Sequence, residues 1–225
     1  MARPPKRSQS QSRSMILRSA AELFLNRGYS ESRMADIAKE AGVSYNEVFR
    51  VFGDKEGILC ELVGLVVEGQ FEAVEEILKE QKEELLLSYT AEATLQLYMA
   101  ETNEGLREMY NVSYSLPGSA KIIYRKMTER LERTFRPFLP NLTTKDFYER
   151  EIAVAGIMRN FISVPCDMYF TMERKISAFL TATFLVYEAP KEELEKAIGF
   201  VRKFDWKKIS VGVLGRMSEY LASKV

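Results

Sequence analysis

Apolar residues recur at three- and four-residue spacing along almost the whole chain, while strictly alternating or β-branched runs are few. That period belongs to α-helices, so an all-α fold is expected. Residues 15–26 place Ile16, Leu17, Ala20, Leu23 and Phe24 on one face, and "NRGY" ends the run, with Gly28 expected in a left-handed C-terminal cap. Ser32 reads as the N-cap of a short helix over 33–41, Gly42 closes it, and Ser44 opens another that runs to about residue 51. Asp54 reads as the cap of a long helix over residues 55–80. Beyond it, the breaks at 103–105, Pro117-Gly118, 137–140, Pro165, Pro190 and Asp205 divide the chain into further helices, roughly nine to eleven in all.

In "IAKEAGVSYNEVF" the small Ala38, the turn residue Gly42 and the apolar Val48 have the spacing of a helix-turn-helix. Ala38 lets two helices cross closely, Gly42 takes the left-handed turn, and Val48 packs the second helix on the first, with Ile37, Ala41 and Val43 completing a small core. Left outside on the second helix are Ser44, Tyr45, Asn46, Glu47 and Arg50, hydrogen-bonding tips gathered near its N-terminus. A helix that reads the DNA major groove presents this arrangement. Asn46 suits adenine, Tyr45 a thymine methyl or a phosphate, and Arg50 the backbone or guanine. Glu47 would repel phosphate, so it belongs beside a cytosine amino group or turned to solvent. Lys55, opening the next helix, is placed to grip a phosphate, and Arg33, opening the one before, joins the basic set.

Charge sharpens this picture. The chain has 32 basic and 32 acidic residues, yet its first eighteen positions hold Arg3, Lys6, Arg7, Arg13 and Arg18 and no acid. A solvated tail explains that asymmetry as well as an end that faces a polyanion. With 46% hydrophobic and 28% charged residues the chain reads as globular. The longest apolar run, "ISAFLTATFLVY", is too short to span a bilayer, so no membrane partner is expected. The basic start has no apolar segment after it, which implies a cytoplasmic protein. Cys60 and Cys166 form no CxxC pattern, and neither a metal nor another cofactor is expected.

The run "ILRSAAELFLNRGYSESRMADIAKEAGVSYNEVFRVFGDKEGIL", residues 16–59, resembles the N-terminal signature of the tetracycline-repressor (TetR) family of transcriptional regulators. It shares Ala-Ala-x-Leu-Phe, the Gly-Tyr turn, Asp-Ile-Ala, Ala-Gly-Val-Ser, an aromatic-x-x-Phe close, and Lys-Glu followed by an apolar residue. The resemblance implies a helix-turn-helix DNA-binding domain over residues 1–58 and a helical effector-binding and dimerisation domain over 59–225. It places Ser32 where a hydroxyl caps the second helix and touches phosphate, Ser44, Tyr45 and Asn46 at the start of the reading helix, and Lys55 on the DNA backbone. Phe49 stands where the family usually has tyrosine and Val51 where histidine or tyrosine is frequent. Both keep apolar bulk but remove polar contacts with DNA.

Past residue 85 the sequence offers compatible material but no motif. Aromatic, methionine and cysteine residues cluster in "LQLYMAETNEGLREMYNVSYS" and "IMRNFISVPCDMYFTM". Tyr98, Tyr110, Tyr114, Met158, Phe161, Cys166 and Phe170, with Met99, Met109 and Met168, suit an adaptable cavity for a largely apolar small-molecule effector, and equally a plain core. The stretches 175–187 and 191–203 are the candidates for a homodimer surface.

The chain has no histidine, which excludes His-based triads, His-ligated metals and imidazole acid-base chemistry, and it has no GxSxG, GxxxxGK[ST] or GxGxxG. It is expected not to be an enzyme. The reading is a ligand-responsive regulator, a repressor that binds a palindrome in double-stranded DNA as a dimer. The alternative is a helical small-molecule or partner-binding protein whose reading helix has degenerated, as Phe49 and Val51 suggest.

Overall fold

The structure, a computed structural model, describes residues 8–78 and 84–223, the side chains of residues 218 and 220–223 excepted. These hold eleven α-helices: α1 (Gln9–Arg27), α2 (Met34–Glu40), α3 (Tyr45–Phe52), α4 (Lys55–Ile77), α5 (Leu85–Thr102), α6 (Glu104–Ser113), α7 (Pro117–Phe135), α8 (Thr144–Ser163), α9 (Met172–Val186), α10 (Lys191–Val201) and α11 (Trp206–Ser223). No helix among the described residues is long and apolar enough to cross a membrane.

The first helix starts six residues earlier than its apolar stripe suggests. Ser8 accepts from the Gln11 N–H at 3.1 Å and the Gln11 side chain accepts from the Ser8 N–H at 3.0 Å, a reciprocal cap that carries the helix into the polar segment. Gly28 ends it at φ 88° and ψ 157°, a positive φ but not the left-handed helical cap expected. Ser32 is not the cap of α2. Arg33 occupies that position, while Ser32 is buried and donates its hydroxyl to the Gly28 carbonyl at 2.7 Å, because the tight turn leaves that carbonyl without a helical partner. Ser44 and Asp54 cap α3 and α4 as expected, accepting from Glu47 N–H at 3.2 Å and Gly57 N–H at 2.8 Å. Helix α4 ends at Ile77 with Leu78 as its C-cap, short of the end expected at residue 80; residues 79 and 80 lie outside the described residues.

Helices α1 to α3 and the first turns of α4 close around Ile16, Ala20, Phe24, Ile37, Val48, Ile58 and Leu59, none of them more than marginally exposed. Gly42, at φ 61°, turns α2 into α3, and the Val43 N–H returns to the Ala38 carbonyl at 3.0 Å. In the remainder α5 is the central rod, buried on most of its surface and packed by α4, α6, α7, α8, α9, α10 and α11. A second core lies where α7, α8 and α9 meet it, with the Phe135 and Tyr187 rings stacked at 4.2 Å and Phe147 and Phe184 beside them.

The two parts are joined at backbone distance. A Cβ on Gly105, in the first turn of α6, would stand 2.4 Å from the Leu25 carbonyl oxygen and 2.5 Å from that of Phe24; one on Gly28 would stand 2.1 Å from the Glu108 carboxylate. That carboxylate accepts from the Ser30 N–H at 2.9 Å. Gly105→Ala should therefore cost about 1 to 3 kcal/mol or more by overpacking. Urea unfolding of the variant beside wild type checks this; an unchanged midpoint would contradict the close approach.

Candidate nucleic-acid interface and effector cavity

Helix α3 buries Val48 and turns Ser44, Tyr45, Asn46, Phe49 and Arg50 outward. Tyr45 and Phe49, 52% and 59% exposed, make its outer edge unusually apolar. Val51, by contrast, is half-buried against the core. Arg33 is exposed at the start of α2, where its backbone N–H donates to Asp36 at 3.2 Å. Glu47 turns neither to solvent nor to the outer edge: its carboxylate accepts from the Ser12 hydroxyl at 2.5 Å and ties α3 to α1.

Lys55 faces inward. Its ammonium donates to the carbonyls of Tyr29 at 2.9 Å and Ser32 at 3.0 Å and lies 4.1 Å from the centre of the Tyr29 ring. Burial lowers its pKa, against the pull of Glu108 and Glu31. Burial also raises the Tyr29 phenol to about 12, helped by Glu56 and Asp54. Lys55 thus fastens the turn between α1 and α2 onto the start of α4. Of the five early cations, Arg3, Lys6 and Arg7 lie outside the described residues. Arg13 pairs with Glu61 and covers the Phe52 ring, and Arg18 lies 3.6 Å from Glu22.

Inside the second part, α4, α5, α6, α7, α8 and α9 enclose a cavity of about 50 Å³. Val63, Val66 and Phe71 of α4 form one wall; Tyr89, Ala93, Met109, Ile123, Val154, Met158 and Phe179 form much of the rest. Its polar groups are few and mostly engaged. Gln70 donates to the Tyr110 hydroxyl at 2.6 Å, and Gln96 to that of Tyr114 at 2.9 Å. Arg130 holds Glu92 with both nitrogens of its fork, Nε at 2.7 Å, while lying over the Phe71 ring at 4.1 Å. Glu151 differs: it is 2% exposed, and burial alone acts on its carboxyl and holds its pKa well above the ordinary range. A wider cleft of about 500 Å³ runs between α1, α4 and α11 and shares Val66, Leu106 and Met109 with the cavity.

Tyr110, Tyr114 and Met158 border this cavity, and Met109 borders both spaces. Tyr98, Phe161, Cys166 and Phe170 do not border it. Tyr98 and Phe170 line a shallow groove near α10, Phe161 packs between Phe170 and Phe179, and Cys166 sits beside Met172 past the end of α8. For Cys166 and Phe170 the reason is the Ser163 helix end: from Val164 the chain leaves α8, and Met168 beyond it is 81% exposed.

The family profile described as "Bacterial regulatory proteins, tetR family" matches residues 16–62, the span from α1 into α4. The fatty acid metabolism regulator protein of Bacillus subtilis (strain 168) is 32% identical over 132 residues, 52% of this chain and 66% of its own length. The chain thus spans about two thirds of that curated relative. Its fold is similar to that of RolR in complex with resorcinol (TM-score 0.63, 14% identity, 85% of this chain and 93% of that one). It is also similar to SmeT, the repressor of the Stenotrophomonas maltophilia multidrug efflux pump SmeDEF (TM-score 0.55, 18% identity, 79% and 91%). The chain belongs to the TetR family.

Within this TetR-family fold, the cavity's polar residues Gln70, Glu92, Gln96, Ser113 and Glu151 are not singled out by the sequence pattern of aromatics and methionines. A signal for Glu151 existed. Phe147, Val154, Ala155 and Met158 mark the buried stripe of α8, and Glu151 falls on it at helical spacing, a charged residue at an apolar position.

The raised pKa of Glu151 has a consequence for stability. Below the ordinary glutamate value of 4.5 it is protonated whether folded or unfolded and costs nothing. As pH rises past that value the unfolded chain releases the proton while the folded chain keeps it, so stability falls until the folded pKa is passed. Glu151→Gln removes this loss. The Tm of the variant relative to wild type should climb as pH rises above the ordinary glutamate value of 4.5. A difference independent of pH would mean that the carboxyl is not desolvated.

Proposed function

We propose that this TetR-family chain is a ligand-responsive transcriptional regulator, a repressor that acts in the cytoplasm without catalytic activity and binds a palindromic operator as a homodimer. The observation that carries the reading is a single helix, α4, which packs under the outward edge of α3 at one end and walls an interior cavity at the other. The relatives agree in kind: one regulates fatty acid metabolism, one represses an efflux pump, and one was solved with resorcinol bound.

On DNA, α3 enters the major groove. Asn46 reads an adenine, Tyr45 and Phe49 pack against thymine methyls or sugars, and Ser44, Arg33 and Arg50 hold the backbone. Ser32 and Lys55 support this surface from beneath, with their polar atoms spent on the turn between α1 and α2. The effector is a small, largely apolar molecule that enters the cavity and shifts α4, so that only its differential affinity for the two spacings of the reading helices matters.

The dimer surface is formed by α8 and α9. Ile152, Ala153 and Gly156 on α8 and Ala178 and Leu185 on α9 are exposed, Leu185 to 73%, and such small and apolar residues let four helices pack closely across a two-fold axis. Helix α10, paired with α9 on sequence grounds, turns Lys191, Glu192, Glu195 and Lys196 outward and suits water better.

Titrated with fragments flanking its own gene, the protein should prefer one palindromic site, and weak binding to all fragments alike would favour a DNA-free helical binder. Asn46→Ala should cost about 1 to 3 kcal/mol on that site while random DNA is held as before, as expected for a bidentate base contact. Equal loss on both would remove Asn46 from the reading set. Leu185→Glu should sediment as a monomer where wild type sediments as a dimer; an unchanged dimer would place the interface elsewhere.

A further inference from the structure

The wall of the enclosed cavity carries two carboxylates, Glu92 and Glu151, and among its described residues no lysine, arginine or histidine. Glu92 is answered from behind by Arg130. Glu151 is not answered by any hydrogen bond or ion pair among the described residues, although the phenols of Tyr89, Tyr114 and Tyr187 are near enough to feel its charge. A lone carboxyl is costly to bury in such a wall, and no cationic side chain of the described wall offsets that cost.

We propose that the effector of this cavity is a lipophilic organic cation whose ammonium head sits on the Glu151 carboxylate and whose apolar body extends past Met109 into the neighbouring cleft. The inference rests on the reading of the chain as an effector-binding regulator and names the chemistry of the ligand. Head-group charge decides the matter. A cation finds its counter-ion in Glu151, with the aromatic rings of Tyr89 and Tyr114 in the same wall and near that carboxyl. A carboxylate head would face two acids, and the amides of Gln70 and Gln96 each already spend one N–H on Tyr110 and Tyr114. A neutral head would leave Glu151 as it is.

The cavity in its present form, about 50 Å³, is too small for such a body. Met109 stands in the partition to the cleft of about 500 Å³, with Val66 and Leu106. An unbranched thioether side chain changes rotamer at low cost, so Met109 is the part of the partition that yields. Seating the cation turns a protonated acid into a paired carboxylate, and the proton passes to the buffer. No other bond is made or broken.

Decylammonium, 1-decanol and decanoate share a chain and differ in head charge. Calorimetric titration of each into the full-length protein near neutral pH, in two buffers of different ionisation enthalpy, tests the proposal. Decylammonium should bind at least about tenfold tighter than the other two. Its apparent enthalpy should also differ between the buffers, as release of a proton requires. In Glu151→Gln the preference should collapse to within about twofold of decanol and the buffer dependence should vanish. Decanoate or decanol binding as tightly as decylammonium would overturn the cation and leave the effector reading intact. A preference that survives in Glu151→Gln, or a wild-type enthalpy that is the same in both buffers, would also overturn it. If none of the three binds, both the cation and the effector reading fall.

Discussion

The structure depends on one constraint: α4 belongs to two cores at once. Its first turns supply Ile58, Leu59 and Leu62 to the apolar interior beneath the helix-turn-helix, and its later turns supply Val63, Val66, Gln70 and Phe71 to the cavity wall. At 1.5 Å per residue, Lys55 and Gln70 are separated by about 22 Å of continuous helix. A hydrogen-bonded rod transmits displacement at one end as displacement or tilt at the other, because bending it would break backbone bonds that have no substitute. Lys55 makes the near end a joint rather than a loose contact, since its ammonium holds the carbonyls of Tyr29 and Ser32.

Two further ties limit where that motion can go. Glu56 accepts from the Gly118 N–H at 2.7 Å, linking the start of α4 to α7, and Glu108 holds the turn after α1 from α6. Both are carboxylates bonded to backbone, which gives direction without the long flexible arms of a surface lysine pair. The reading surface therefore hangs from the second part by α4 and by short bonds to α6 and α7.

Much of this was legible in the chain and some was not, for physical reasons. Helical period, Gly42, Val48 and the caps at Ser44 and Asp54 are local, and they stand in the structure where the pattern put them. The start of α1 was missed because a polar capping box carries no apolar signal. The inward bonds of Ser32 and Lys55 are not legible in the sequence, because each goes to a carbonyl brought near by a turn that sequence spacing does not reveal, and for the same reason Ser32 is not the cap of α2. The cavity was half legible. Aromatic and methionine content marked residues on both sides of the Ser163 helix end; Cys166 and Phe170 lie past it, and Phe161, still on α8, packs against Phe170 and Phe179 instead of the cavity wall. Glu151 was the more telling residue, and its position on the apolar stripe was visible without any structure.

The glycine seam between α1 and α6 bears on how such proteins can be recombined. Because Gly105 rests on the carbonyls of Leu25 and Phe24, and Gly28 on the Glu108 carboxylate, the fit between the two parts leaves no room for a side chain at either glycine. A helix-turn-helix grafted here from another protein would bring its own helix ending, and any side chain at that point would lever the modules apart. A working chimera needs its crossover placed so that Gly28, Gly105 and Glu108 travel as one inherited unit.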